Sequence, residues 1–442
     1  ADLINEGENV IAVEVHQSSS SSSDKSFDLE LKAYYFDGVS LVDSLSYEGQ
    51  ISDVSYGRDN QSEIWGYFGQ PTPGYPNNTY QLQVPLLSGD VFSNLTSGIY
   101  NEEQTITLSA NDPDGIIYYT IDGSKPVLNS NIYTDPIVIG SNTTIRTRTI
   151  EPNKLPGKIS TFSYLISSQN SIPIVSLVVE PDFLWGDDIG IYSNEYKQRE
   201  IPVTLHYFKN GINTSFEIDA GARLGGLNIW TKPQKPFTIY TRGRFGEDAI
   251  YYQLFENKPI ANFSRIVLRN GGDDWEETLI RDPMIESIAE GMLDCGYMAY
   301  TPSSLYLNGD YWGIHNIREK FDKNYFTQNF NVNGENIDHL EYTQTQSGVD
   351  LLVVEGDLID YNAMINTISS HDISDIEGWI LIDSLINVNS FTDHVLLTGY
   401  AANTSWEHNR EWWKEKRTGS KWQWLIADLD RGFNYSNSEG SR

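Results

Sequence analysis

The sequence contains almost no cysteine. Among its 442 residues there is a single one, Cys295, so no disulfide can form within the chain. The seven histidines are scattered, and together with one cysteine they do not make the ligand spacing of a zinc site. A metal site in this chain would therefore have to use the oxygen ligands of aspartate, glutamate or asparagine.

Long hydrophobic runs and basic residues are also scarce. No stretch approaches about 18 consecutive apolar residues, so we expect no membrane-spanning segment. Lys and Arg number 30 against 61 Asp and Glu, which gives a formal net charge of −31. A surface this acidic repels phosphate backbones and argues against nucleic acid as a partner. If the chain binds a nucleotide, a metal ion or a few placed basic groups must offset the repulsion.

The remaining composition is that of a globular, β-rich protein. Hydrophobic residues make up 39% and aromatic residues 12% of the chain, which excludes a disordered polymer. The length predicts about two to four domains. No signal peptide is visible, and the chain starts at Ala1 within what reads as a domain already under way. We therefore expect a fragment of a longer protein.

Three segments can be distinguished along the chain. Residues 1–86 contain the alternating stretches NVIAVEVHQ and FDLELKAYYF and end in the linker PTPGYPN. Residues 87–167 carry short strands such as GIIYYTID and TTIRTRTI, which predict a small β-sandwich with Asp122-Gly123 as a hairpin turn. Residues 168–442 have strands first and helices later, which predicts an α+β unit with a β-rich and a helical lobe.

Local signals in the last segment are specific enough to test. Asn308-Gly309 in SSLYLNGDYWGIHNIREKFD predicts a tight hairpin that runs into a helix. RDPMIESIAEGMLDCG predicts a helix with Asp282 as its cap and Pro283 in its first turn. WQWLIADLDRGFN reads as a buried strand that ends at Asp428 and Asp430. Those two aspartates belong either to a plain loop or to the site of a hard cation such as Mg²⁺.

Phosphoryl transfer needs side chains of the kinds found in this segment. A lysine aligns the phosphates, a carboxylate often braces that lysine, and Asn and Asp oxygens hold Mg²⁺. Their order along the chain is that of protein kinases, although order alone is weak evidence. The candidates are Lys235 on a strand after a glycine-rich turn, Glu286 on the predicted helix, Asn403 and Asn409 in the loop NTSWEHN, and the pair Asp428 and Asp430.

Longer stretches resemble known families. Roughly residues 170–436 resemble the spore coat protein H (CotH) kinase family, an atypical branch of the protein-kinase-like fold. Residues 87–167 resemble the C-terminal β-sandwich of chitobiases and β-hexosaminidases through IIYYTIDGSKPVLNSNIYTDPIVI, and residues 1–86 resemble the end of a galactose-binding jelly roll. The CotH-like stretches are IPIVSLVVEPDFLWGDDIGIYSN, PQKPFTIYTRGRFG, IVLRNGGDDWEETLIRD, SSLYLNGDYWGIHNIREKFDKNYF, AANTSWEHNREWW and WLIADLDRGF.

The CotH resemblance implies an ATP- and Mg²⁺- or Mn²⁺-dependent kinase that phosphorylates Ser or Thr on protein substrates. It also implies a location outside a bacterial cell or on its surface. The N-terminal modules are candidates for glycan binding on the basis of their resemblance alone. For Tyr118, Tyr119 and Tyr133 a binding role is open, although core packing is the more expected role. On this basis the cofactor-binding residues are Lys235, Arg223, Glu286 and Glu319, and the metal-binding residues are Asn409, Asp428 and Asp430.

The catalytic loop departs from the family pattern. The family has N-T-D-W-P-x-N-N, whereas this chain reads NTSWEHNR, with Ser405 at the place of the expected aspartate. Loss of a positioned base typically costs about 10²–10⁴-fold in rate. The candidate catalytic residues are Ser405, Asn403 and Glu407, the last as a substitute carboxylate. Two functions stay open: a kinase, or a non-catalytic adhesion or carbohydrate-binding protein with a pseudokinase domain.

Simpler interpretations exist for three of the cofactor candidates. Lys235 lies in the turn-rich KPQKPF and can be an exposed lysine at a strand edge. Glu286 can be a solvated glutamate on a charged helix face. Glu319 can pair with its neighbours Arg318 and Lys320, and surface pairs of that kind contribute little to stability.

Overall fold

The computed structural model describes only part of the chain. The described residues are 31–34, 41–45, 54–59, 64–69, 72, 75–77, 81–82, 84–166, 171–194, 197–209, 214–225, 232–345 and 348–433. The strand expected at NVIAVEVHQ and most of the glycine-rich turn before Lys235, residues 226–231, lie outside them.

Contacts divide the chain into two compact units. The first comprises residues 1–96, 103–140 and 145–162, and the second comprises residues 97–102, 141–144 and 163–442. Among the described residues before 167 the regular elements are short strands: β1 Leu31–Tyr34, β2 Leu41–Leu45, β3 Ser55–Arg58, β4 Trp65–Phe68, β5 Gln81–Leu82, β6 Val91–Ser93, β7 Gly98–Tyr100, β8 Gln104–Ile106, β9 Leu108–Ala110, β10 Ile116–Thr120, β11 Asn131–Ile132, β12 Ile137–Ile139, β13 Thr143–Ile150 and β14 Ser160–Ile166.

The first unit confirms the prediction of an all-β N-terminal region. Within it β10 pairs antiparallel with β11 and β13, β8 with β12, and β6 with β9. Most of these strands bury at least one side chain. The resulting core includes Ile106, Leu108, Ile117, Ile139 and Ile145, which are almost completely shielded from solvent.

The predicted hairpin turn at Asp122-Gly123 is wrong. Residues 121–130 separate β10 from β11, so this dipeptide does not close a two-residue loop. Asp122 Oδ1 instead accepts hydrogen bonds from the Ser124 amide at 2.9 Å and from the Ser124 hydroxyl at 2.6 Å. The aspartate side chain thus stabilises a local turn inside a longer connection.

The second unit begins with a closed β-barrel. Strand order around it is β15-β16-β17-β18-β19-β22-β21, and the barrel closes where β15 pairs in parallel with β21. Fully buried side chains such as Leu177, Leu205, Ile239 and Ile317 fill its interior. Its strands are β15 Ile174–Val178, β16 Ile201–Phe208, β17 Phe216–Leu224, β18 Phe237–Tyr240, β19 Arg265–Arg269, β21 Tyr300–Leu307 and β22 Asp310–Arg318. We call this part the barrel lobe.

The second lobe combines a sheet with helices, as the α+β prediction required. Its five-stranded sheet has the order β20-β26-β25-β23-β24. The strands are β20 Gly296–Tyr297, β23 Ile337–Thr345, β24 Gly348–Glu355, β25 Arg410–Glu415 and β26 Gln423–Ile426. The helices of the second unit are α1 Pro181–Trp185, α2 Arg281–Glu286, α3 Lys323–Phe330, α4 Ile359–Ser369, α5 Ile376–Leu385 and α6 Val388–Tyr400, with short 3-10 helices at Gly272–Glu276 and Ser287–Ala289.

Two local predictions in this unit have opposite outcomes. Asn308 (φ 50°) and Gly309 (φ 92°) form the connection between β21 and β22, so the tight hairpin is confirmed. The helix predicted to run through residues 281–296 is shorter, because α2 passes into a 3-10 turn that ends at Ala289. Asp282 is not its cap: Ile280 holds that position, and Asp282 is buried in the first turn.

Within the described ranges, no helix has the length and apolar character needed to cross a membrane.

The closed barrel makes a prediction for its core. Ile239 on β18 is fully buried, whereas its neighbour Thr238 points to the other side of the strand and is partly exposed. Ile239→Ala should lower the free energy of unfolding of the second unit by about 2–5 kcal/mol, because the cavity left behind loses both transfer and packing energy. Urea denaturation of the full chain measures this, and Thr238→Ala is the matched control with little expected loss. Equal losses for the two variants would contradict the barrel register.

Candidate functional site

Strand β26 delivers two aspartates to the surface of the second lobe. Leu425 and Ile426 are buried, and the chain then turns at Asp428, which has φ of 53°. Buried Leu429 anchors the turn, so the aspartates on either side of it are held in place. The Asp428 side chain is 39% exposed and the Asp430 side chain 7%. The prediction that this apolar strand ends at two aspartates is confirmed.

Arg269 joins this acidic pair to the barrel lobe. It is the last residue of β19, and its Nη2 contacts Asp428 Oδ1 and lies 2.9 Å from Asp430 Oδ2. Its Nε lies 3.2 Å from Asp282 Oδ2 as an ion pair. One guanidinium therefore touches three carboxylates. Arg269 was not among the predicted site residues, although it ends the strand in IVLRN.

A second buried arginine extends the network. Arg318 Nη1 donates to Asp282 Oδ2 at 2.7 Å, and its Nη2 lies 2.7 Å from Glu286 Oε1. All three side chains are at most 1% exposed. Burial alone would raise the pKa of Asp282, but the charges of Arg269 and Arg318 lower it to about 2. Asp282 is therefore ionised at neutral pH and is the anion shared by both arginines.

The pKa of Glu286 is shifted in the opposite direction from that of Asp282. Burial raises the pKa of Glu286 to about 8, which Arg318 opposes and the nearby charge of Asp282 reinforces. Its Oε2 accepts the Met298 amide at 2.8 Å. The expectation of a solvated glutamate is wrong, because this side chain is completely buried. Its carboxylate contacts Arg318 and Met298 rather than Lys235, so it does not brace that lysine in this structure.

The catalytic-loop candidates meet the acidic pair through Asn409. Asn409 Nδ2 donates to Asp428 Oδ2 at 2.8 Å and to Ser405 Oγ at 3.3 Å. Ser405 Oγ in turn donates to Asn403 Oδ1 at 3.0 Å, and Ser405 is only 1% exposed. The hydroxyl of Ser405 thus holds the loop together. Glu407 is exposed, and its backbone carbonyl accepts a 3.0 Å hydrogen bond from Arg410.

Lys235 is buried beside the end of β19. It is 6% exposed, so the alternative of an exposed strand-edge lysine is wrong. Its Nζ donates to the Lys232 carbonyl at 3.3 Å and lies 5.6 Å from the centre of the Tyr192 ring. The carbonyl of the preceding Gln234 accepts a 2.7 Å hydrogen bond from Asn270, the residue after Arg269. The segment that carries Lys235 therefore runs alongside the backbone that carries Arg269.

The other two cofactor candidates have different surroundings. Arg223 on β17 lies over the Tyr240 ring, 5.3 Å from its centre. Glu319 is buried and pairs with Lys258 at 2.6 Å, rather than with either of its sequence neighbours as one interpretation expected. The described partners of the acidic pair are different: Arg269, Asn409 and the Asp273 amide, which donates to Asp430 Oδ2 at 2.9 Å. The structure therefore does not bring Arg223 or Glu319 into contact with it.

The donors around Asp428 fit a divalent cation that is shared with a ligand. Carboxylate and amide oxygens are hard ligands of the kind Mg²⁺ and Mn²⁺ prefer, and Asp428 is open to solvent. Among the described residues, no group of three or more His, Cys, Asp or Glu side chains converges as a complete cage. Mg²⁺ is commonly held by one or two carboxylates plus substrate phosphates, which matches a partial donor set.

A separate cavity of about 800 Å³ adjoins the other side of the catalytic loop. Its wall is largely aromatic and aliphatic and belongs to the second lobe, which is the wrong chemistry for a triphosphate. Polyanionic groups therefore fit better on the Asp428 side, where Arg269 and the segment of Lys235 supply positive charge. Residues of its wall include Tyr361, Ile368, Phe391, Trp406, Trp412 and Trp424.

Comparison with known families supports the predicted domain architecture. Residues 225–441 match the family model described as CotH kinase protein. This segment is similar to CotH kinase domains. Residues 95–161 match the chitobiase/beta-hexosaminidase C-terminal domain, which confirms the predicted order of the two. The CotH match begins after β17, so the first three barrel strands precede it.

A curated relative shares a short stretch of sequence. An endoglucanase from Clostridium saccharobutylicum is 36% identical over 72 residues, which is 16% of this chain and 15% of that protein. The chain thus covers a small part of that relative's length, and the likeness assigns no activity here.

The buried Glu286 gives a pH prediction. Its pKa is about 8 in the folded protein against 4.5 ordinarily, so the folded state holds a proton that the unfolded state has lost. Its contribution to stability should therefore fall as pH rises from about 5 to 8. Glu286→Gln removes this titration, and we expect its urea midpoint to fall less over that range than that of the wild type.

The control for this experiment is Glu256→Gln, since Glu256 is 79% exposed. It should retain the wild-type pH dependence. A Glu286→Gln variant whose stability falls as steeply with pH as the wild type would show that Glu286 is ionised in its pair with Arg318.

Proposed function

We propose that the CotH kinase domain binds ATP with a divalent cation at Asp428 and transfers the γ-phosphoryl group to Ser or Thr hydroxyls of a protein substrate. The observation that carries the proposal is the convergence at Asp428. An exposed carboxylate, the Asn409 amide and the Arg269 guanidinium meet there, at the junction of the two lobes. Phosphoryl transfer relies mainly on such positioning and charge neutralisation.

Each residue has a role that follows from its surroundings. Asp428 and Asn409 would hold the cation, and Asp430 would support it from the buried side, where the Asp273 amide fixes its carboxylate. The cation, when bound, neutralises phosphate charge and aligns the phosphates. Lys235 would align the α- and β-phosphates after turning away from the Lys232 carbonyl. These local charges offset the repulsion between a chain of net charge −31 and a triphosphate.

The acceptor hydroxyl has no strong base at the expected position. Ser405 is buried and its hydroxyl is bonded to Asn403, so it cannot take a proton from a substrate. A loose transition state requires little proton removal early in the transfer, so positioning alone sustains a slower reaction. Glu407, exposed two residues further on, is the substitute carboxylate in this proposal.

Ser405 also favours a second candidate function, nucleotide binding without phosphoryl transfer. A domain that binds nucleotide without transfer would keep Asp428, Asn409 and Lys235 and would tolerate Ser405 as a loop-stabilising residue. In that case the chain is a surface protein whose N-terminal modules bind glycans. In both versions we place the protein outside a bacterial cell or on its surface, as the family resemblance implies.

Nucleotide binding is tested by thermal stability of the full chain. With ATP and Mg²⁺ or Mn²⁺ at about 100 times the dissociation constant, the ligand should stabilise the protein by about 2.7 kcal/mol. Asp428→Asn should abolish the metal-dependent part of this shift because it removes the exposed anionic ligand. Asp383→Asn, a change at an aspartate that is 57% exposed on α5, should leave it intact. No shift with either metal in the wild type would refute the nucleotide site.

Catalysis is tested by restoring the family's aspartate. Ser405→Asp should raise phosphate transfer from labelled ATP to a generic protein acceptor by about 10²–10⁴-fold if a positioned base is what the loop lacks. Ser405→Ala is the control and should show no increase. If Ser405→Asp still binds ATP and transfers no faster than the wild type, the kinase proposal loses its support and the pseudokinase version is preferred.

A further inference from the structure

Arg269 occupies the position at which a cation would meet the acidic pair. Its Nη2 contacts Asp428 and lies 2.9 Å from Asp430, and it is supplied by the barrel lobe while both aspartates belong to the second lobe. We infer that Arg269 is a built-in counter-cation, whose guanidinium a divalent cation must displace from Asp428 in order to bind there. This inference rests on the proposed function for the identity of the site.

The backbone around Arg269 is shaped for this contact. Gly272 adopts φ of 63°, and a Cβ atom at this position would collide with Asp430 Oδ2 and would lie 2.7 Å from Arg269 Nη2. The Asn270 side chain accepts the Gly272 amide at 3.1 Å, which fixes this turn. A side chain at residue 272 would therefore separate the guanidinium from the carboxylate. The close approach of all three groups depends on glycine at this position.

The contacts of Arg269 differ in how easily they can open. Asp282 is 1% exposed and is also held by Arg318, so the Nε side of the guanidinium faces a fixed anion. Asp428 is 39% exposed, and Arg269 itself is 26% exposed. The contact with Asp428 can therefore break towards solvent while the ion pair with Asp282 remains. The Arg269 side chain would then change conformation while its ion pair with Asp282 keeps it in the site.

Electrostatics decides what this exchange does to metal binding. With the guanidinium in place, an entering divalent ion meets a positive charge at the same two carboxylates, which weakens its binding. Phosphate oxygens of a nucleotide would offer the displaced guanidinium a new bidentate partner. Binding of the metal without nucleotide should therefore be weak, and it should strengthen when the charge of Arg269 is removed.

The test measures binding of Mn²⁺ alone to the full chain, by electron paramagnetic resonance of the free ion, without nucleotide. Arg269→Gln should bind Mn²⁺ at least about tenfold more tightly than the wild type, because one competing charge is gone. Arg265→Gln is the matched control: Arg265 starts the same strand on the same side, is 24% exposed, and its partner is Asp322 at 3.7 Å. It should change Mn²⁺ affinity little.

Further variants make the outcome decisive. Arg269→Gln combined with Asp428→Asn should lose the gain, which locates the ion at Asp428. If Arg269→Gln does not fold, Arg269→Met replaces it, since methionine also removes the charge while keeping an unbranched side chain, and it should likewise tighten Mn²⁺ binding. Affinity equal to or weaker than that of the wild type in the folded variant overturns the inference.

Failure of this inference is distinguishable from failure of the proposed function. Tighter Mn²⁺ binding by Arg269→Gln in a protein that shows no ATP-dependent stabilisation would support the counter-cation and refute the nucleotide site. ATP-dependent stabilisation together with unchanged Mn²⁺ affinity in Arg269→Gln would support the nucleotide site and refute the counter-cation.

Discussion

The contact of one guanidinium with three carboxylates ties the two lobes of the second unit together. Arg269 ends a barrel strand, Asp428 and Asp430 follow the last strand of the other sheet, and Asp282 lies on α2 between them. Because buried charges are costly unless paired, this arrangement forces the barrel, the helix and the final strand into one relative position. The geometry of the candidate site is a consequence of that constraint.

The same network explains why the pKa values of neighbouring carboxylates differ. Asp282 lies between Arg269 and Arg318 and stays ionised, with its pKa lowered to about 2. Glu286 is deeper and shares only Arg318, so burial dominates and raises its pKa to about 8. Burial and the charge of Asp428 also raise the pKa of Asp430. Two arginines therefore face four carboxylates, of which Glu286 and Asp430 have raised pKa values.

Features that depend on neighbouring residues in the sequence were predicted correctly. The apolar strand that ends at Asp428 and the Asn308-Gly309 turn follow from neighbouring residues alone. Sequence reasoning failed where a residue's role depends on contacts that are distant in sequence. Asp282 was predicted to be a helix cap, but its role is set by its ion pairs with Arg269 and Arg318, which lie on two other strands. Glu286 likewise looked solvated, and an exposed Lys235 stayed open as an alternative, because burial is a property of the packed lobes. Barrel closure depends on pairing between β15 and β21, which are distant in sequence, and Asp122-Gly123 shows that a turn dipeptide does not by itself specify a hairpin.

The most direct test of the account is a crystal structure of the full chain with Mn²⁺ and a non-hydrolysable ATP analogue. The account predicts an anomalous peak for the metal within about 2–2.3 Å of a carboxylate oxygen of Asp428, as oxygen ligation of a small divalent ion requires. The Arg269 guanidinium should have left Asp428 while keeping its ion pair with Asp282. A metal bound elsewhere, or a nucleotide bound while Arg269 still contacts Asp428, would contradict it.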